Sequence, residues 1–252
     1  MREGTLLLHR EGFPARPAFD TAVSRALLEG AASGAPGDTL RLFVPGRVLA
    51  FGTADTGRPG YPAAVEAARA EGFAPMVRLA GGRAAVFHEE TLAFAWARPD
   101  PDPPRRIHAR FRELADIVVE ALGSLGAEAR VGEVPGEYCP GSYSVSLAGR
   151  GKVMGVGQRL VAGAAHVGGV VVVRGAELVN RALTPVYRAL AYTWDPAATG
   201  SVDDGVAGAT VGLVADALVA ALARRYRVAE APLPPAALER AEALAAAAPP
   251  PG

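Results

Sequence analysis

The segment GEYCPGSYSVSLAGRGKVMGVGQR, Gly136 to Arg159, holds the only cysteine and the only lysine of the chain, Cys139 and Lys152. Everywhere else positive charge is carried by arginine. A lone cysteine is more often a buried, inert hydrophobe than a nucleophile. Cys139, however, lies in a Gly/Pro/Ser-rich loop rather than in an apolar run. Loops on a rigid scaffold are favoured places for reacting groups. An ammonium nearby lowers the pKa of a thiol and raises its thiolate fraction. Lys152 stands just past a hairpin turn from the strand that follows Cys139, so the two can meet in space. Such a pair suits acyl transfer: the thiolate attacks a carbonyl and the ammonium stabilises the developing oxyanion.

Other chemistries find little support. RLAGGRAAV lacks the G-x-G-x-x-G spacing of a dinucleotide fingerprint and opens no helix, so Gly81–Gly82 alone reads as a turn or bulge. Gly151–Lys152 is no P-loop, because no glycine precedes it at the required distance and no Ser or Thr follows. His9, His88, His108 and His166 show no metal-ligand spacing, and no metal site is expected. There is no G-x-S-x-G elbow. His88 and His166 follow apolar strand-like residues, where a structural histidine is the commoner case.

Several elements must position this chemistry. TLLLHR reads as a first strand, and PAFDTAVSRALLEGAASG as an amphipathic helix with Asp20 as its N-cap. TLRLFVPGRVLAFG reads as two strands broken at Pro45–Gly46, and Pro62 and Gly72 bound a further helix. From Met76 to Arg98 three short strands turn at Gly81–Gly82 and Glu89–Glu90. Ile107, Phe111, Leu114, Val118, Leu122 and Leu125 recur at threes and fours, which predicts a helix. Tyr143, Val145 and Leu147 alternate with serines, which predicts a half-buried strand. Strands follow from Lys152 to Arg174, then a helix in ATVGLVADALVAALARRYRV and an alanine-rich helix with a proline tail. Helices separate groups of strands instead of alternating with them one for one. That pattern predicts an α+β fold with a mixed sheet flanked by helices. We read 1–252 as a single domain, with 195–252 a candidate small C-terminal helical extension.

Half of the 252 residues are hydrophobic, enough for a sizeable core. Lys plus Arg and Asp plus Glu balance at 26 each, which leaves no electrostatic footprint for nucleic acid. A single cysteine forms no internal disulfide, and no apolar run is long enough for a signal peptide or a membrane span. The expectation is a cytoplasmic protein with neither a nucleic-acid nor a membrane partner.

Two motifs resemble the lipoate-protein ligase and octanoyltransferase superfamily, which shares a catalytic fold with biotin-protein ligases. VRLAGGRAAVFHEETLAFAW, Val77 to Trp96, is similar to the Arg-x-x-Ser-Gly-Gly loop and the strands after it. GRGKVMGVGQR, Gly149 to Arg159, is similar to the lysine strand of that superfamily. The match runs in order over roughly residues 20 to 190. EYCPGSYSVSL looks most like the cysteine-dependent branch, amidotransferases that move octanoyl or lipoyl groups between lipoyl carriers. The resemblance implies a mostly antiparallel, biotin/lipoate-ligase-like sheet. It implies Cys139 as nucleophile and Lys152 as positioner of the acyl carbonyl. It places Arg78, Gly81, Gly82, Arg83, Gly155, Gln158 and His166 at substrate-binding positions, the two glycines letting backbone approach the acyl chain. It implies lipoyl carrier domains, of the glycine-cleavage H protein or dehydrogenase E2 type, as partners, and no cofactor. Ala80 stands where serine is common, Arg83 where a third glycine is common, and Met154 replaces a small residue and is expected to line or narrow the acyl pocket. Two other readings remain: an ATP- and Mg²⁺-dependent lipoate-protein ligase in which Cys139 is incidental, and a silent protein that binds carriers or acyl groups. Val86, Leu92 and Phe94 read as core or as pocket wall.

Overall fold

A computed structural model describes residues 4–35, 37–149 and 151–247. The proline tail expected at the C-terminus lies outside the described residues.

The chain begins with strand β1 (Thr5–His9) and helix α1 (Pro17–Ala32). Pro17 opens α1, where its missing N–H has no helical partner to lose. Asp20, expected as the cap, instead lies inside the first turn, buried. It accepts the N–H of Phe13 at 3.1 Å and pairs with Arg41 Nη2 at 2.6 Å. β2 (Asp38–Phe43) and β3 (Val48–Phe51) follow, broken at Pro45–Gly46 as expected. Next come the short α2 (Thr53–Thr56), α3 (Tyr61–Ala70), β4 (Ala74–Val77), β5 (Ala85–Phe87) and β6 (Thr91–Pro99). After a 3₁₀ turn come α4 (Ile107–Ser124), β7 (Ala129–Val131), β8 (Val145–Leu147), β9 (Gly151–Val161) and β10 (Ala164–Val172). The chain closes with α5 (Ala176–Ala189), α6 (Val211–Ala223), β11 (Arg227–Glu230) and α7 (Pro235–Ala247).

The strands form two sheets. The larger has the order β11-β1-β2-β6-β10-β9-β8-β7, and the smaller β4-β3-β5. β1 runs parallel to β11 and β2, and every other neighbour in the large sheet is antiparallel. The fold is α+β with a mixed, mostly antiparallel sheet, as the sequence pattern predicts. Two local readings differ. β4 and β5 do not pair with each other but flank β3, so Gly81–Gly82 is the middle of a loop and not a hairpin turn. The strand expected from Tyr143 shortens to Val145–Leu147, and Ser144 and Ser146, expected on its wet face, are both buried, Ser144 serving the site described below. The residues beyond about 195 join the main body: α6 packs on α4, β11 extends the large sheet beside β1, and α7 packs on α1.

β6 sets the layering. In TLAFAWARP the large residues Leu92, Phe94 and Trp96 point to the core formed with α4 and α6. Ala93 and Ala95 point to the other face, as strand alternation requires. Ala95 lies in register with Gly168 of β10. Small side chains on adjacent strands leave a space on that face, and a cleft opens there.

Candidate active site

Cys139 sits in the loop between β7 and β8 with φ of +43°, a conformation uncommon for a residue with a Cβ. Such backbone persists only where neighbours over-determine it. Three buried side chains do so, those of Tyr187, Lys152 and Glu137. The Tyr187 hydroxyl on α5 accepts the Cys139 N–H at 2.9 Å and donates to the Ala84 carbonyl at 3.0 Å. Lys152 Nζ on β9 donates to the carbonyls of Tyr138 at 2.9 Å and Cys139 at 2.8 Å. Glu137 Oε1 accepts from Gly141 N–H at 2.8 Å and Ser144 Oγ at 2.9 Å. Its other oxygen lies 3.5 Å from Lys152 Nζ. Glu137, Tyr138 and Lys152 are all buried, so this cage excludes water from the loop's inner side.

The sulfur itself is half-buried. It accepts the backbone N–H of Arg83 at 3.2 Å and Arg78 Nη2 at 3.3 Å. Arg78 Nη2 also donates to the Arg83 carbonyl at 2.5 Å, which fixes the guanidinium over the loop. Gly82 makes this approach possible. It has φ of +106°, and a Cβ there would lie 2.3 Å from Arg78 Nη2 and 2.8 Å from the sulfur. Burial pushes the Cys139 thiol up, but the Arg78 and Lys152 charges and the two donors outweigh it, and the net shift is downward. Burial also lowers Lys152, against the opposing pull of Cys139 and Glu137. A lowered pKa beside two N–H donors favours the thiolate form of this sulfur.

Arg78, which donates to the sulfur, also borders a cleft walled by Ala80, Phe94, Ala95 and His166 among others. It is mostly apolar, as a site for an acyl chain would be. His166 is buried in its wall. Desolvation and the Arg41 charge lower its pKa to about 4, so the ring is neutral, and its Nδ1 has no hydrogen-bond partner. Of the residues read as core or pocket, Phe94 borders the cleft, while Val86 and Leu92 are buried in the cores. Met154 is fully buried in the core under α4 and α6, not in the cleft; the methionine that borders it is Met76.

The structure thus brings Cys139, Lys152, Arg78, Gly82 and the Arg83 backbone together, with His166 along the cleft. Others stand apart. Both ends of the Gln158 amide are engaged, with Arg110 Nε donating to its oxygen at 2.9 Å and its nitrogen donating to the Ile107 carbonyl at 2.8 Å. Its backbone carbonyl accepts the Gly81 N–H at 3.3 Å and so ties down the glycine loop. A Cβ on Gly81 would meet open space, so that position lacks the steric demand of Gly82. Gly155 acts through Lys152, since a Cβ there would lie 3.2 Å from Lys152 Cε. The Arg83 side chain lies over the ring of Tyr192, 4.5 Å from its centroid. Tyr187 and Glu137 were missed in the sequence. Glu137 had a local signal, being two residues before Cys139, while Tyr187 is 48 residues away and had none. Among the described residues no group of three or more His, Cys, Asp or Glu is placed to hold a metal ion. No described helix is long and apolar enough to cross a membrane.

Comparison with known proteins gives a consistent picture. The lipoyl protein ligase A/B catalytic domain matches over residues 16–210. An octanoyl-[GcvH]:protein N-octanoyltransferase of Geobacillus kaustophilus is 32% identical over 174 residues, covering 67% of this chain and 60% of that one. A lipoyl-[GcvH]:protein N-lipoyltransferase of Listeria monocytogenes is 25% identical over 150 residues, 58% of this chain and 54% of that one. The chain therefore spans about 60% or less of the length of these curated relatives. A bi-partite lipoate protein ligase of Thermoplasma acidophilum superposes with a TM-score of 0.75 at 21% identity, over 98% of this chain and 93% of that one. A lipoate-protein ligase A bound with ATP gives 0.75 at 22% identity, over 97% and 95%. At these identities the structural likeness shows the fold.

Proposed function

The chain belongs to the lipoyl protein ligase A/B catalytic-domain family, and from that premise we propose that it is an acyltransferase of protein lipoylation. It moves an octanoyl or lipoyl group from one lipoyl carrier domain to a lysine of another through a thioester on Cys139. The carriers are of the glycine-cleavage H protein or dehydrogenase E2 type, in keeping with the printed activities of the relatives. The protein works in the cytoplasm.

The observation that carries this reading is the sulfur of Cys139, half-buried, with a lowered pKa, between two N–H donors, one of which, Arg78, also borders an apolar cleft. In the first half-reaction the thiolate attacks the acyl carbonyl carbon of the donor amide. The new C–S bond forms and the C–N bond to the donor lysine breaks. Lys152 steadies the carbonyl oxygen as charge develops, then supplies the proton that the departing amine needs. Its lowered pKa makes that proton easier to release. In the second half the neutral amine of the acceptor lysine attacks the thioester. Its proton passes to Lys152 and the Cys139 thiolate leaves. One amide is exchanged for another of similar energy through the Cys139 thioester, so ATP and Mg²⁺ have no step to perform.

The test is incubation with octanoylated carrier in the absence of ATP, followed by intact-mass measurement. We expect an acyl adduct that hydroxylamine removes, and its loss together with transfer in Cys139→Ala. Full ATP-dependent transfer by Cys139→Ala would overturn the mechanism in favour of a ligase. Carrier binding with no turnover in either condition would favour a silent binding protein.

A further inference from the structure

The two cations near Cys139 are not equivalent. Lys152 Nζ donates to the Tyr138 carbonyl at 2.9 Å and the Cys139 carbonyl at 2.8 Å, and lies 3.5 Å from the Glu137 carboxylate. Those groups are main chain and a counter-ion. The sulfur instead takes its hydrogen bonds from Arg78 Nη2 at 3.3 Å and the Arg83 N–H at 3.2 Å. Arg78 is itself held from both ends. Its backbone N–H bonds the Phe51 carbonyl at 2.9 Å, and Nη2 bonds the Arg83 carbonyl at 2.5 Å. One peptide loop therefore presents both donors to the same sulfur. The absence of a side chain on Gly82 lets them converge, since a Cβ would strike Nη2 and the sulfur together.

We propose that Arg78 is a catalytic residue: its guanidinium, with the Arg83 N–H, forms the cradle that holds Cys139 as a thiolate, while Lys152 holds the backbone of the cysteine loop. The ionisation is simple in balance. The S–H proton goes to solvent before substrate arrives, and the sulfur keeps the electron pair that attacks the carbonyl. A guanidinium suits this duty because it stays charged at all working pH values and offers planar donors to sulfur and carbonyl at once. Arg78 also borders the cleft, so the cation that stabilises the sulfur lies where the acyl carbonyl arrives. The word catalytic rests on the transferase reading, but the cradle is measurable without any acyl substrate.

Cys139 is the only cysteine, so the rate of iodoacetamide alkylation against pH reports its ionisation directly in the full chain. In the unaltered protein the alkylation midpoint is expected below the ordinary thiol value of about 8.5. Arg78→Gln is expected to raise the midpoint by a pH unit or more, a tenfold loss of thiolate at neutral pH. Lys152→Gln is expected to raise it less. Arg78→Lys keeps the charge but not the planar double donation, and its midpoint should fall between wild type and Arg78→Gln. It also tests the proposal should the Gln variant fold poorly, because a wild-type midpoint in Arg78→Lys together with a larger shift in Lys152→Gln overturns the assignment. So does an unmoved midpoint in a folded Arg78→Gln. If the midpoint moves as expected but no acyl adduct ever forms, the transferase reading fails and the cradle stands. If adducts form while the midpoint ignores Arg78, the cradle alone fails.

Discussion

Tyr187 holds Cys139 in place from 48 residues away: its hydroxyl accepts the Cys139 N–H at 2.9 Å and donates to the Ala84 carbonyl at 3.0 Å. One phenol thus joins the cysteine loop to the peptide that leads out of the glycine loop. Both loops reach the sulfur, so this single contact sets their separation. It also stabilises the φ of +43° at Cys139, a backbone conformation that costs on the order of 1–3 kcal/mol.

Tyr187→Phe removes that contact and little else, because the ring stays in the core of the smaller sheet. It leaves a buried N–H and a carbonyl without their partner, at a cost of about 1–3 kcal/mol. The urea midpoint should fall accordingly. Thioester formation should slow by roughly tenfold or more, because small displacements of a nucleophile are expensive in rate. An unchanged adduct rate in a destabilised variant would show that the loops keep their register without the phenol.

A second prediction concerns acid. His88 and His166 are both buried, and desolvation lowers each to about 4 from an ordinary 6.5. In the unfolded chain they protonate near 6.5. Between about pH 6.5 and 4 the unfolded state therefore binds more protons, and stability falls as pH drops through that window. The loss is on the order of 2 kcal/mol per histidine by pH 5. Urea unfolding at pH 7.5 and pH 5 measures it. His88→Asn, at a position that does not line the cleft, should remove about half of the difference, and an undiminished pH dependence would assign the effect to other groups.

Much of this architecture is legible in the sequence because local pattern and burial agree. The helix from Ile107 shows its stripe at threes and fours, and Pro45–Gly46 and Gly72 mark their breaks. The errors have physical causes. Asp20 looks like a cap, but a buried guanidinium at Arg41, 21 residues on, takes its carboxylate instead. Ser144 and Ser146 look like the wet face of a strand, yet both are buried and Ser144 bonds Glu137. β11 is invisible because it is short and gains its identity only by pairing with β1, at the other end of the chain. At the site, Cys139 and Lys152 stand out by rarity. Their division of labour does not, since it depends on whether a donor reaches sulfur or carbonyl oxygen. The cleft was spelled in the alternation of β6, where alanines oppose large residues, but small residues signal space only once the facing elements are known.

The Asp20–Arg41 pair, of which Asp20 lines the cleft, gives a third prediction. Both residues are buried, and Arg41 also donates to the Asp20 and Glu11 carbonyls and to Ser24. Burial raises the Asp20 carboxyl above its ordinary value even with Arg41 beside it. Arg41→Met strands that carboxylate and should cost about 3–5 kcal/mol. The double variant Arg41→Met with Asp20→Leu should recover a large part of that loss, because no charge is then left buried. Chemical denaturation of the two single variants and the double variant measures the coupling. Additive losses would show that the pair contributes no specific interaction.

The last prediction tests the cleft as an acyl site. Ala95 borders it from β6 and lies beside Gly168, so the floor is made of the smallest side chains. Ala95→Leu adds three carbons to that floor while keeping an apolar strand residue. Its isobutyl group takes up space that the far end of an eight-carbon chain would fill. Overpacking costs stability of roughly 1–3 kcal/mol, which thermal unfolding will read separately. The informative measurement is the rate of Cys139 thioester formation from carriers bearing four-, six- and eight-carbon acyl groups. The octanoyl rate should fall by at least tenfold while the butyryl rate stays within about twofold, since a lost methylene contact is worth about 1–3 kcal/mol in an apolar pocket. Equal losses for all three lengths would mean that the variant disturbs the sulfur and not the chain, and would move the acyl group out of this cleft.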